Sequence, residues 1–293
     1  MTQRTPSTVR SWRPATRSSP CTASTRCPSE VVPVPSRDEL REHLVTTRIA
    51  GDVATSRENN LDHYSSLANR DPYYMFGLTF SQPWSFRDVL ALMAKSCGVV
   101  ADAGYRWGQD TIDPDRTLDA LDAMGDRIAG VLAKENPRIL VATGHPTGLL
   151  AVHLKLAEFV VSRGARLLTP GEGWTYSASG FGRARKIRYL GEVAMLDDKG
   201  GFVHSHDSAP MERMLAELGS EVPDLVIADH GWAGAAGEAG VPTVAFADCN
   251  DPALFLGEAE GKIDVVVPLD DNVLPRYYGP LTEHLVTRAS RAL

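Results

Sequence analysis

The chain has 293 residues, 43% of them hydrophobic and 23% charged, with a formal net charge of −7 at pH 7. Such values suit a globular protein with one substantial core, or a smaller helical region joined to an α/β domain. No stretch approaches the ~18 apolar residues of a membrane-crossing helix, and the acidic balance lacks the basic stripe of a nucleic-acid footprint, so neither membrane nor nucleic acid is predicted as a partner.

The beginning of the chain differs from the rest. Met1 to Glu30 carries Arg4, Arg10, Arg13, Arg17 and Arg26 against the single acid Glu30, with many Ser, Thr and Pro and few apolar side chains. Without this segment the net charge falls to about −11. It lacks the apolar core of a secretory signal and cannot bury enough surface to offset the entropy of ordering, so residues 1–33 read as a disordered basic tail, or as an upstream extension of the ordered protein. Cys21 and Cys27 lie in that tail, and Cys97 and Cys249 make no CxxC pair. This excludes a disulfide framework and fits a cytoplasmic protein.

Residues 34–135 are predicted to form a helical N-terminal region. Ser36-Arg37-Asp38-Glu39 ahead of Leu40 and Leu44 predicts a capped amphipathic helix. A second helix is expected from about Asn60. Val89, Leu90, Leu92 and Met93 mark a third, which Gly98 closes. Gln109 to Pro114 reads as a loop, after which Leu118, Leu121, Met124, Ile128 and Val131 recur at helical spacing.

The pattern changes at Asn136-Pro137. Ile139-Leu140-Val141-Ala142 has the unbroken apolar look of a buried parallel strand, and Thr147 to Arg163 of a helix. Strands are further predicted at Ala165–Thr169, Asp224–Ala228, Thr243–Ala247 and Asp264–Pro268, with a helix opening at Asp207–Pro210. Tyr189–Leu196 and Gly201–Val203 are expected to pair, and Gly171 to Gly182 to be a mobile loop. Alternation of this kind predicts a doubly wound, mostly parallel α/β domain over residues 136–293.

Ligands of such sheets bind beyond the carboxyl ends of the strands, and five polar clusters fall there. Gly144-His145-Pro146-Thr147-Gly148 joins a strand to a helix, where free backbone amides favour an anion; Gly144, His145, Thr147 and Gly148 are candidates to hold a phosphate, or else a plain tight turn. His204 and His206 alternate, so both imidazoles can face one metal ion. Asp229-His230 ends another strand. Asp248 is placed to bind a cation or activate water, while Asn250 or Asp251 is assigned to capping the helix at Pro252. Asp270-Asp271-Asn272 either lines the same crevice or forms an Asx turn. His43, His63, His153 and His284 read as structural. Arg57 and Arg106 sit in polar loops that either cover the crevice and bind phosphate, Arg106 being the candidate retained, or simply pack. Nothing basic in sequence lies near Cys249 to activate it as a nucleophile.

Through Arg57-Glu58-Asn59-Asn60-Leu61, Gly108-Gln109-Asp110-Thr111-Ile112-Asp113-Pro114, Ala142-Thr143-Gly144-His145-Pro146 and Ala228-Asp229-His230-Gly231-Trp232-Ala233-Gly234, the chain resembles a group of actinobacterial proteins labelled "phosphatase". The resemblance runs from about residue 34 to the C-terminus and implies phosphoester hydrolysis. No DxDxT/V, Cys-x5-Arg or RHG signature accompanies it.

The resulting expectation is a cytoplasmic phosphoric monoester hydrolase acting on a small phosphorylated metabolite. Asp229, His230 and Asp248 are its catalytic candidates, and His204, His206, Asp229 and Asp248 its ligands for Mn²⁺, Mg²⁺ or Zn²⁺. A phosphosugar isomerase or lyase and a non-catalytic phosphometabolite-binding protein are the alternatives.

Overall fold

The computed structural model describes residues 35–177 and 184–293. The basic tail of residues 1–33 lies outside them, as does the part of the aromatic-rich loop at 178–183. Helix α1 (Arg37–Thr47) starts with the predicted capping box: Ser36 Oγ accepts from the Glu39 amide, and the Glu39 carboxylate accepts from Ser36 N at 2.7 Å. Strand β1 (Gly51–Ser56) runs directly into α2 (Arg57–Ala68), which Ser56 caps through Asn59 N. Helix α3 (Phe86–Ser96) turns Val89, Leu90 and Met93 inward. The segment expected as a loop then holds β2 (Gln109–Ile112), paired antiparallel with β1 across a register shift. Local periodicity does not announce this ribbon, because its two short strands are far apart in the chain and one of them is irregular. Helix α4 (Pro114–Leu132) buries Leu118, Leu121, Met124 and Ile128 at the predicted spacing.

The remaining elements are β3 (Arg138–Ala142), α5 (Pro146–Ser162), β4 (Arg166–Leu167), β5 (Thr175–Ser177), β6 (Ala184–Leu190), β7 (Val193–Asp198), β8 (Gly201–Val203), α6 (Ala209–Leu218), β9 (Leu225–Asp229), α7 (His230–Glu238), β10 (Thr243–Ala247), α8 (Pro252–Ala259), β11 (Val265–Pro268) and α9 (Gly279–Arg291). They build one mixed sheet in the order β11-β10-β9-β3-β7-β6-β5, with β4 also beside β3 and β8 beside β7. Strands β11, β10, β9, β3 and β4 are parallel, which explains the continuous apolar runs of β3, β9 and β10: these strands are buried along nearly their whole length.

Tyr189–Leu196, expected as one strand, is instead a hairpin. Strands β6 and β7 meet at Gly191 and Glu192, whose φ angles of 53° and 64° give the left-handed pair that a two-residue hairpin requires. Glutamate in place of the usual asparagine or glycine hid the turn.

On one side of β3 lie β4, at Arg138 and Ile139, and β7, at Val141 and Ala142; on the other lies β9. The chain thus leaves β3 in one direction and later returns on the opposite side. Connections diverge above such a reversal and open a crevice at the strand ends.

The N-terminal elements close over that crevice through a buried polar knot. Arg57 Nη1 donates to Asp110 Oδ2 at 2.7 Å with both side chains fully buried. Asp110 also accepts from Asn60 Nδ2 and from the amides of Val100 and Thr111, while Arg57 reaches the carbonyls of Tyr105 and Asp102. Removing one partner strands the other charge in the interior. Asp110→Ala is therefore expected to lower unfolding free energy by ~3–5 kcal/mol in urea denaturation; a loss under ~1 kcal/mol, the range of an exposed pair, would contradict this account.

Candidate active site

Asp229, the last residue of β9, is fully buried, and its Oδ1 accepts both from Gly144 N at 2.7 Å and from His230 Nδ1 at 2.8 Å. One carboxylate oxygen thereby joins the ends of β3 and β9. His230 adopts a left-handed backbone, φ 49°, as it enters α7. With Nδ1 donating to Asp229, its Nε2 is left to face the crevice, where it lies 3.2 Å from His204 Nε2 and 3.5 Å from Oδ2 of both Asp251 and Asp271. The His204–His206 segment is held to β3 by Ser205 N donating to Gly144 O at 2.8 Å. Gly231 gives it room, since a Cβ there would stand 2.1 Å from the His206 carbonyl.

These residues converge. His145, His204, His206, His230, Asp248, Asp251, Asp270 and Asp271 line one cavity of about 490 Å³. The His145 and His204 rings stack at 4.3 Å, and His206 and His230 at 4.9 Å. Three sets offer donor atoms within 4.8 Å of one another: His145, His204 and His230; His206, His230 and Asp251; and Asp248, Asp270 and Asp271. His145 Nδ1 and Asp271 Oδ2 lie 3.1 Å apart without the alignment of a hydrogen bond, and neither atom makes a hydrogen bond elsewhere.

Ala54, Thr55, Ser56 and Asn59 of the N-terminal region supply the opposite wall. Thr55 Oγ1 donates to Asp248 Oδ2 at 2.5 Å, Ala54 N to Asp270 Oδ2 at 3.1 Å, and Tyr64 Oη to Cys249 O at 2.6 Å. No lysine or arginine is found among the described residues of the lining.

Crowding shifts the protonation of the whole group. Burial works against a charge on His230, yet Asp251, Asp229 and Asp271 hold its pKa up, to about 10. Burial and the His230 and His145 charges press His204 down to about 4, and burial with His230 and His204 beside it holds His206 lower still. Among the carboxylates, burial raises Asp251 to about 7 against the pull of His230. Burial, with Asp271 and Asp270 beside it, raises Asp248 well above its usual range. Asp229 and Asp271 are also pressed upward by burial, but their histidine partners bring both below it.

Other expected site residues lie differently. Thr147 and Arg106 are exposed and are not among the lining residues. The Gly144 amide is committed to Asp229, and Gly148 is a packing glycine: a Cβ there would fall 1.9 Å from the Asp271 carbonyl. Asp229 stands behind His230 and is not part of the lining. Asp251, read from sequence as a cap, occupies the N-cap position of α8 but makes no side-chain cap bond; its carboxylate faces His230 instead. Asp270 does form the Asx turn, accepting from Asn272 N at 2.9 Å, and still reaches the cavity. His63 and His153 are structural as expected, His63 on the Asn250 carbonyl and His153 on the Leu149 carbonyl.

Two comparisons with known proteins found a match to most of the chain. A family described as Phosphatase matches residues 35–293. A protein of Streptomyces coelicolor named as a phosphatase is 49% identical over 260 residues, covering 87% of this chain and 97% of that relative.

Gly148→Ala must push the backbone that carries Asp271, so it is expected to cost ~1–3 kcal/mol of stability. Gly130→Ala is the control, because a Cβ at that exposed position of α4 meets nothing within 4 Å; it should be neutral or slightly stabilising. Equal denaturation midpoints for Gly148→Ala and the unsubstituted protein would refute the close approach.

Proposed function

The chain belongs to the phosphatase family, and on that premise we propose that the crevice is the active site of a metal-assisted hydrolase acting on the phosphomonoester of a small metabolite. The observation that carries the reading is the convergence of four imidazoles and four carboxylates on one cavity of about 490 Å³, a size suited to a small molecule. We read the domain around it as doubly wound from about residue 136, with residues 34–135 as the covering region. The reversal of strand order between β3 and β9 supports that reading.

The wall suits a divalent cation on two grounds. His145 Nδ1 and Asp271 Oδ2 are buried, face one another at 3.1 Å and make no aligned hydrogen bond, an arrangement a cation between them would satisfy better. The donors are imidazole nitrogens and carboxylate oxygens, which suit Mn²⁺ or Zn²⁺, while the all-oxygen set of Asp248, Asp270 and Asp271 suits Mg²⁺. A bound cation would supply Lewis acidity to the phosphoryl oxygens and activate water.

The chain's own residues divide the remaining work. His230 would hold the cation together with His145 and His204, or with His206 and Asp251, while Asp248 belongs to the carboxylate set across the cavity. Asp229 acts as a positioning residue: by accepting from Nδ1 it directs His230 Nε2 into the cavity, where a bound cation would displace the Nε2 proton. Asp248 is held by the Cys249 amide and Thr55 hydroxyl, which keep its carboxylate oriented. Of the β3–α5 loop residues expected to meet phosphate, His145 alone lines the cavity. Ser56, Asn59, Asn250 and Asn272 offer uncharged donors and acceptors suited to hydroxyl groups on the rest of the substrate.

The test is inorganic phosphate release from a panel of phosphomonoesters, before and after exhaustive chelation. Activity is expected to vanish on chelation and return with Mn²⁺, Zn²⁺ or Mg²⁺. Asp229→Asn is expected to weaken cation affinity about 10–100-fold, read by titration calorimetry. Turnover untouched by chelation would remove the metal; turnover that leaves all phosphate on the substrate would replace the hydrolase with an isomerase or lyase.

A further inference from the structure

We propose that the crevice binds two divalent cations at poles of different chemistry, joined by Asp271. The inference rests on the metal-assisted reading above and goes beyond it in number, ligand set and bridge.

The first pole is nitrogen-rich. It centres on His230 Nε2, with His204 Nε2 at 3.2 Å and His145 in the same set. The second is all oxygen, made by Asp248, Asp270 and Asp271. The two sets share no residue. Their chemistry also differs: imidazole favours borderline cations such as Zn²⁺, while grouped carboxylates accept Mg²⁺ or Mn²⁺.

Asp271 connects them. It belongs to the carboxylate set, yet its Oδ2 lies 3.5 Å from His230 Nε2 and 3.1 Å from His145 Nδ1. That oxygen is buried on a residue only 6% exposed and has no hydrogen-bond partner, as is true of Nδ1 of His145, 4% exposed. A carboxylate with an unpartnered oxygen aimed at the histidine pole, on a residue that also serves the oxygen pole, has the geometry of a bridge. Two-cation sites place their ions roughly 3.5–4 Å apart, a span a single carboxylate covers.

Charge favours the same count. Asp248, Asp251, Asp270 and Asp271 line the cavity and Asp229 stands directly behind it. By formal charge, one divalent cation offsets two of these five carboxylates and two cations offset four.

The experiment uses the full chain, stripped by chelation and dialysed against Mn²⁺, with bound metal counted by elemental analysis and the Mn²⁺ spectrum recorded by electron paramagnetic resonance. The expected result is a plateau of two ions per chain with a spin-coupled signal. His204→Ala and Asp270→Asn should each keep one ion and lose the coupling, and Asp271→Asn should lose the coupling even where two ions remain. Circular dichroism identifies any variant that fails to fold, and the wild-type count and spectrum decide without them. A plateau at one uncoupled ion, with phosphate still released, would overturn the second site and leave the proposed function standing. No bound Mn²⁺, Zn²⁺ or Mg²⁺ on folded protein would overturn both.

Discussion

Asp229 Oδ1 receives two hydrogen bonds, one from the backbone of Gly144 and one from His230 Nδ1. Those donors belong to the ends of β3 and β9, the two neighbouring strands between which the chain order reverses. The rest of the site depends on this junction. It sets the height of His145 at the start of α5 and the ring plane of His230 at the start of α7. The Gly144 carbonyl then recruits Ser205 N, which brings His204 and His206 alongside. Three separate stretches of chain deliver imidazoles to one place because a buried carboxylate joins Gly144 to the His230 ring and the Gly144 carbonyl holds Ser205.

The junction has an energetic cost and a compensation. Burying a carboxylate is expensive unless it is paired and hydrogen-bonded, and a histidine in the left-handed region stores ~1–3 kcal/mol of backbone strain. The charge-assisted bonds to Asp229 are of the strong class that offsets such terms. Their effect on protonation agrees from both sides: the pair holds Asp229 below its usual range and His230 above its own. His153 Nε2 lies 3.6 Å from the other Asp229 oxygen and adds a positive pull from behind whenever it is charged. What the arrangement gains is orientation, with His230 Nε2 fixed toward the cavity and no rotamer search.

Much of this was legible in the residues, and the exceptions have physical reasons. Strand ends bearing Asp229-His230 and Asp248 stood out because a continuous apolar run ends abruptly in a charge. The alternation of His204 and His206 reads directly as two side chains on one face. Asp251 was hidden by Pro252: an acid before a helix-starting proline has a local role available, and only coordinates reveal that its side chain declines it. Thr147 looked like a phosphate donor because free amides gather at a helix start, but it lies exposed in the first turn of α5 and outside the cavity lining. The glycines at 144 and 148 suggested room for a ligand, whereas the atoms that approach them belong to the protein itself. The β1–β2 ribbon left no periodic trace, since each strand is short and its partner distant in sequence.

That ribbon also explains why a fully buried ion pair is kept where an apolar pair would pack at lower desolvation cost. Arg57 and Asp110 do not merely fill space: Asp110 gathers Asn60 of α2, the Val100 amide and its own strand, while Arg57 holds the loop carbonyls of Asp102 and Tyr105. Asn60 also meets Cys249, the residue after Asp248. Directional bonds of this kind fix α2 in one register over the end of β10, which hydrophobic contact alone would leave free to slide. With α2 fixed, Thr55 reaches Asp248 and Asn59 reaches Asn250. Ala54, Thr55, Ser56 and Asn59 are therefore a structural part of the crevice, held directly beside the buried Arg57–Asp110 pair.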